Sequence, residues 1–204
     1  LRAASAGGSR DIFDLLGDEK PIAQVAGMLR AVRAPAPIRT VLSRVMDKRG
    51  QAHLAREIPS VRRSSAAELF GLVEARNAYI AAFTKRLDTS RFDAVLCPPM
   101  AVPAFTHGSS EHLLAAVAYS LVINVLGVPA GVVSLSQVQP GEESARTPAA
   151  DLADITARDV EVGSSGLPIG IQVVGRHWED HIVLAVMGVL SVCALPARVH
   201  AKRA

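Results

Sequence analysis

Between Leu113 and Leu135 the chain carries no charged residue, and a run of twenty-three such positions has to be removed from water somewhere. On length alone it would span a bilayer. Its interior argues otherwise: Ser120 and Asn124 are polar, and Gly127, Pro129 and Gly131 interrupt any continuous helix. Gly-Val-Pro-Ala-Gly at 127–131 reads as a helix end, capped by glycine, that turns into a strand. The run therefore predicts a buried helix, a turn and a buried strand from Gly131 to Val138. That pattern places an α/β core in the C-terminal part of the chain.

The segments around the run fit the same core. Asp93 to Cys97 is a short apolar stretch closed by Pro98 and Pro99, which reads as a buried strand delivering an irregular loop through Pro103 and Gly108. Leu167 to Gly175 is a second apolar strand. Glu179 and Asp180 then open a helix carrying Ile182, Val183, Val186, Leu190 and Cys193, with the two acids at the positive end of its dipole. Gln139 to Glu161 is polar and acidic with two prolines, and it reads as a long surface excursion holding one helical turn.

The part before this core is helical and basic. Up to Arg91 there are sixteen basic and nine acidic residues; from Phe92 onward there are six and ten. After a short helix around Asp11 to Leu16, Ile22, Val25, Ala26, Leu29 and Val32 recur at helical spacing between Pro21 and Pro35. A second amphipathic stretch sets Ile38, Val41, Leu42, Val45 and Met46 against Arg39, Arg44, Lys48 and Arg49, and ends at Gly50. Such helices pack on a core; a second reading lays them on a membrane surface. Ser65 and Glu68 form a capping box for a long helix to Leu87, bearing Leu69, Leu72, Val73, Tyr79, Ile80 and Phe83.

Composition excludes several classes. Five Phe, two Tyr and one Trp are too few for a base-stacking platform, and the basic residues are interspersed with acids, so no nucleic-acid partner is expected. Cys97 and Cys193 are far apart without Cys-x-x-Cys spacing, which predicts two buried free thiols rather than a zinc cage or a disulfide framework. The chain starts at Leu1, and Leu1 to Gly8 lacks the charged start and apolar run of a signal peptide, so the numbering is expected to begin inside a longer protein.

Few residues invite a chemical reading. Gly163-Ser164-Ser165-Gly166 is not a Gly-x-Ser-x-Gly elbow and has no base nearby in sequence; a turn leading into a strand explains it, and Ser5 to Ser9 reads the same way. His177 and His181 are four apart, but the order His-Trp-Glu-Asp-His differs from the zincin pattern and His177 precedes the helix, so no metal site is assigned. His107 and His112 flank a Gly-Ser loop as solvated or capping residues.

Three longer motifs, in this order, carry a family resemblance: FDAVLCPPMAVPAFTHG, then AYSLVINVLGVPAGVV, then GSSGLPIGIQVVGRHWEDHIVLAVM. Together they resemble the C-terminal part of the amidase signature family, closest to its fatty acid amide hydrolase branch. The likeness covers about Ser65 to Val192 well and the preceding helices loosely. It implies an α/β fold with a mixed β-sheet covered by α-helices. It also implies a serine hydrolase that cleaves carboxylic amides with a lysine, a bridging serine and a nucleophilic serine, and that needs no metal or organic cofactor.

Those three groups belong to the family's upstream half. Lys20, Lys48, Lys85 and Lys202 do not match the catalytic lysine's motif, and Ser164 and Ser165 stand before a strand, so no catalytic residue is assigned in this chain. Residues 1–204 are read as a C-terminal fragment of a single amidase domain, with a basic helical region over 1–91 and a strand-helix-strand core part over 92–204. Aligned on Asn124 and Pro129-Ala130-Gly131, the resemblance places Leu114, Val117 and Leu121 at substrate-lining positions, at a spacing that also fits any core helix. Thr156 stands near the place of a tryptophan that lines the same branch's pocket. The implied partner is a small-molecule amide, lipid-like in its acyl part, with peripheral membrane contact through the helices of Pro21 to Arg49. The fragment alone is expected to be inactive and to expose an apolar sheet edge. The alternatives are a small-amide amidase or amidotransferase subunit, and a non-catalytic remnant that binds lipid or a partner.

Overall fold

The computed structural model describes residues 17–22, 26, 34–60, 64–143, 146–147 and 150–193. The helix expected at Asp11 to Leu16, nearly all of that at Pro21 to Val32, the Ser5 to Ser9 stretch and Lys202 lie outside these residues.

Helix α1 spans Ala36–Lys48 with Pro37 in its first turn, where a missing N–H costs nothing, and ends before Gly50, whose φ of 74° a glycine accepts without strain. It packs on the short α2, Ala52–Glu57, and the Ser43 hydroxyl donates to the carbonyl of Ala55 at 2.7 Å. The apolar residues of α1 divide: Leu42 and Met46 are half-buried, whereas Ile38, Val41 and Val45 stay exposed.

Helix α3, Ala66–Ser90, starts at the expected capping box: Ser65 Oγ accepts from the Glu68 N–H, and the Glu68 carboxylate accepts from the Ser65 N–H. Arg91, in the left-handed region at φ 54°, ends it three residues beyond the expected Leu87. Of this helix only Leu87 is buried; Leu69, Phe70, Val73 and Tyr79 are exposed. The Arg176 guanidinium ties the helix end to the core by pairing with Asp88 and donating to the carbonyl of Phe92. Its own pKa is held above the ordinary arginine value, chiefly by the hydrogen bond to Asp88.

Strands β1 (Val95–Cys97), β2 (Ala130–Gln137) and β3 (Pro168–Val174) form one sheet in the order β1-β3-β2. Both pairings are antiparallel, so the parallel part of the mixed sheet that the resemblance implies is not among the described strands. Leu96, Val173 and Gly131 stand level across the sheet. The central strand is the most buried, with Val173 and Val174 essentially closed to solvent. The uncharged run resolves as a 3₁₀ turn at Leu114–Val117, helix α4 at Ala118–Leu126, a turn through Gly127, and β2. No described helix is long and apolar enough to cross a membrane.

Helix α6, Asp180–Cys193, covers β2 and part of β3. Glycines let it come close: a Cβ on Gly175 would stand 2.5 Å from Val183 Cγ2, a stiff β-branched side chain. The helix ends in solvent, so Cys193 is exposed, which corrects the expectation of two buried thiols; its apolar neighbours Val189 and Val192 are exposed as well. Cys97, half-buried in β1, has its thiol pKa raised by that burial.

The largest departure from the sequence reading is the acidic segment. It contains a ten-residue helix, α5 (Leu152–Glu161), rather than a single turn. Its Ala157 and Val160 pack with Val102, Leu113 and Ala116 in one buried cluster. The periodicity of two buried positions was too short to stand out among six acids, but Asp151 ahead of Leu152 is a recognisable cap residue. In the structure its carboxylate accepts from the Ala153 N–H at 2.9 Å and from the His53 N–H of α2 at 3.0 Å. One carboxylate, 6% exposed, therefore caps two helix N-termini and joins the basic helical region to the acidic segment.

Candidate functional site

The expected lining residues fall on two consecutive elements. Leu114 and Val117 sit on the 3₁₀ turn and Leu121 on α4. A 3₁₀ turn returns to the same side every three residues and an α-helix nearly so every four, so the change of helix type keeps the three on one side. Leu113 and Ala116 occupy the other side of the turn, buried against α5 and Val102. Leu114, Val117 and Leu121 are each half-buried, an aliphatic stripe that the described residues only partly cover.

Hydrogen bonds fix this segment against the loop that leaves β1. The Ser120 hydroxyl donates to the carbonyl of Pro99 at 2.8 Å, and the Ala101 N–H donates to the carbonyl of Ala116 at 2.9 Å. Pro98 and Pro99 stop β1 at the sheet edge, and the loop then runs alongside the turn. On the far side, Arg76 of α3 donates to the carbonyl of Val125 at 2.7 Å, next to the left-handed Gly127 that ends α4. The segment that carries the stripe is thus held by hydrogen bonds to elements from both halves of the chain.

A separate cavity of about 380 Å³ opens beside the acidic segment. Arg146, Glu142, Glu161 and Ser164 contribute to its wall, and none of the three stripe residues does. Arg146 donates to both carboxylate oxygens of Glu161, the shortest contact being 2.7 Å, and lies 3.4 Å from Asp154. The hydrogen bond to Glu161 raises the arginine's pKa further, so the guanidinium is a fixed cation there. Ser164 is 2% exposed and its Oγ has no hydrogen-bond partner among the described residues. Among the described residues no base is hydrogen-bonded to that hydroxyl. Gly163 and Gly166 at positive φ instead make Gly163-Ser164-Ser165-Gly166 the turn into β3, with the Gly166 N–H donating to the carbonyl of Val138.

The histidines remain apart. His177 precedes α6 and shares a 3.0 Å hydrogen bond with the carbonyl of Gly127, while its ring meets Trp178 edge-on; His181 is an exposed residue of α6. His112 pairs with the neighbouring Glu111 at 3.3 Å, and His107 is exposed. Thr156 donates its hydroxyl to the carbonyl of Leu152 on the exposed side of α5. Among the described residues no three His, Cys, Asp or Glu side chains are grouped to hold a metal ion.

Comparison with known proteins agrees with this framework. The amidase family pattern matches residues 23–184. The chain is 28% identical over 113 residues to fatty acid amide hydrolase 1 of Caenorhabditis elegans, covering 54% of this chain and 20% of that protein. It is also 28% identical over 149 residues to fatty-acid amide hydrolase 1 of Sus scrofa, covering 71% of this chain and 26% of that protein. A solved structure of a fatty acid amide hydrolase superposes with a TM-score of 0.53 at 14% identity, covering 85% of this chain and 37% of the other. The chain therefore spans a fifth to a quarter of the length of these curated relatives. With the family pattern extending over most of its length, from residue 23 into the first turn of α6, the chain belongs to the amidase family.

Proposed function

We propose that the chain supplies an acyl-channel wall and part of the scaffold of a serine amide hydrolase acting on fatty acyl amides. The observation that carries this reading is the half-buried aliphatic stripe Leu114, Val117 and Leu121, set on a hydrogen-bonded segment of an amidase-family chain. Each acyl methylene taken out of water by such a wall contributes about 0.8 kcal/mol, which favours long chains over short ones. The fatty acid amide hydrolase names of the two curated relatives support the same substrate class.

In this reading the bond-breaking groups are the lysine and two serines of the family's upstream half. The lysine, neutral, receives the nucleophile's proton through the bridging serine; as the acyl-enzyme forms and the C–N bond breaks, that proton returns through the same serine to the leaving amine, and water, losing a proton to the neutral lysine by the same route, releases the acid as the proton passes back to the nucleophile. In this reading the 204 residues alone are inactive. The test is hydrolysis by the native protein, captured from its source with an antibody to the acidic segment. Oleamide is expected to be cleaved with at least tenfold higher kcat/KM than a short aryl amide, on the order of what two buried methylenes give. A preference for the short amide would move the protein to the small-amide readings.

One observation favours an added role at a membrane. On α1 the exposed Ile38, Val41 and Val45 form a stripe at spacings of three and four, with the exposed Arg44 and Lys48 beside it. The chain is expected to co-sediment with anionic liposomes at low salt, and Val41→Glu with Ile38→Glu to lower the bound fraction at least fivefold, since each change removes apolar contact and adds repulsion. Equal binding by wild type and the double variant would remove the membrane reading.

A further inference from the structure

Ser164 lines the cavity of about 380 Å³ beside the acidic segment, a place with no part in the acyl-channel wall proposed above. Its hydroxyl is closed to solvent and has no hydrogen-bond partner among the described residues, whereas buried polar groups in folded proteins are nearly always paired. The backbone that carries it is fixed. The Ser164 N–H donates to the carbonyl of Glu161 at 3.1 Å, the Gly163 N–H donates to the Glu143 carboxylate at 2.9 Å, and the Gly166 N–H donates to the carbonyl of Val138 at 2.9 Å.

The charges around the cavity select one ligand class. Arg146 is committed to Glu161 through two of its nitrogens and lies 3.4 Å from Asp154, so its positive charge is already more than matched. With Glu142 in the same wall, these four side chains carry a net charge of −2. One Glu142 oxygen accepts from the Gln139 N–H at 2.8 Å, and the other has no partner among the described residues. Pro103, Val138 and Ile169 supply an apolar part to the wall, and Ile169 is 42% exposed. An organic anion is repelled by that net charge. A bare metal ion gains nothing from the apolar part, and among the described residues no three metal-ligating side chains are grouped. We infer that the cavity binds a small primary alkylammonium ion. Its N–H groups donate to the Glu142 carboxylate and to the Ser164 hydroxyl oxygen, and its carbon chain lies on Pro103, Val138 and Ile169. The inference rests on the lining of this cavity and stands whatever amide the protein cleaves.

A ligand-observed NMR titration of n-hexylammonium into the native protein at constant ionic strength tests it. Saturable binding with a Kd on the order of 1 mM is expected, and n-hexanoate, of the same length and opposite charge, should bind about tenfold more weakly or not at all. Ser164→Ala should raise the Kd about fivefold or more while leaving the denaturation midpoint unchanged or higher, since that hydroxyl has no partner to lose. Glu142→Gln, at an exposed position that keeps an acceptor for the Gln139 N–H, should raise it about threefold or more. No saturable binding, or equal binding of hexanoate, would overturn the inference. So would an unchanged Kd in either variant, because the amine would then sit elsewhere in the protein. A lower midpoint for Ser164→Ala would overturn it as well, by showing that the hydroxyl serves the fold. Failure to cleave oleamide with hexylammonium still bound would sink the substrate proposal and leave this site in place.

Discussion

Replacing Leu121 with Asp is expected to lower kcat/KM for oleamide on the order of 100-fold in the native protein, while that for a short aryl amide changes by less than about threefold. The asymmetry follows from where the side chain stands. Leu121 is half-buried on the stripe with Leu114 and Val117, and a carboxylate there would face acyl methylenes that a short substrate does not have. The short substrate also reports folding, since a variant that merely unfolds would lose both activities. Tyr119→Asp, on an exposed position of the same helix, should leave the ratio of the two activities unchanged. A loss shared equally by both substrates would show that Leu121 supports the fold and does not touch the acyl chain.

Asp151→Ala is expected to be the most destabilising single polar change in the described residues, costing about 2–4 kcal/mol. Most caps serve one helix, and this carboxylate serves two, accepting from Ala153 of α5 and from His53 of α2. Its removal strands two N–H groups in a site that is 6% exposed to water. Asp151→Asn keeps one side-chain acceptor and should retain roughly half of the stabilisation, because a neutral oxygen caps one helix nearly as well as a charged one. Denaturant unfolding of the three proteins under one condition checks both figures. A loss below about 0.5 kcal/mol for Asp151→Ala would mean that the two helices are held by packing alone, with no contribution from the bridge.

These residues also show what was legible in the sequence. The uncharged run broken at 127–131 gave the helix, turn and strand in order, but not their burial: only Leu126 of α4 is buried, and Val122 and Val132 are exposed. Ser65 and Glu68 announced α3 because a capping box is purely local. The second helix of the basic region was legible as well, but not the division of its apolar residues into a packed pair and an exposed stripe, which depends on where α2 lands. Helix α5 escaped because its two buried residues, Ala157 and Val160, gain their meaning from Val102, Leu113 and Ala116, more than forty positions earlier. The same dependence hid the bridge from Asp151 to His53 and the exposed end of α6 at Cys193. The stripe Leu114, Val117 and Leu121 had the spacing of an ordinary core helix, and a lining role for it is read from the family resemblance alone.

The cavity at Arg146 and the stripe at Leu121 are different places with different chemistry. The first joins the paired guanidinium and carboxylates of Arg146, Glu161 and Glu142 to Ser164 and the apolar Pro103, Val138 and Ile169. The second is aliphatic, partly open and fixed by hydrogen bonds to the loop after β1. An amide hydrolase that selects its substrate by the acyl chain needs the second kind of surface.

The most direct measurement of that account is the ratio of kcat/KM for oleamide to that for a short aryl amide in the native protein captured from its source. A ratio of about ten or more, falling toward one in Leu121→Asp, is the expected result and would place the stripe against the acyl chain. A ratio near or below one in the wild-type protein, or no hydrolysis of either amide, would contradict the proposal that this chain walls the acyl channel of a fatty acyl amide hydrolase.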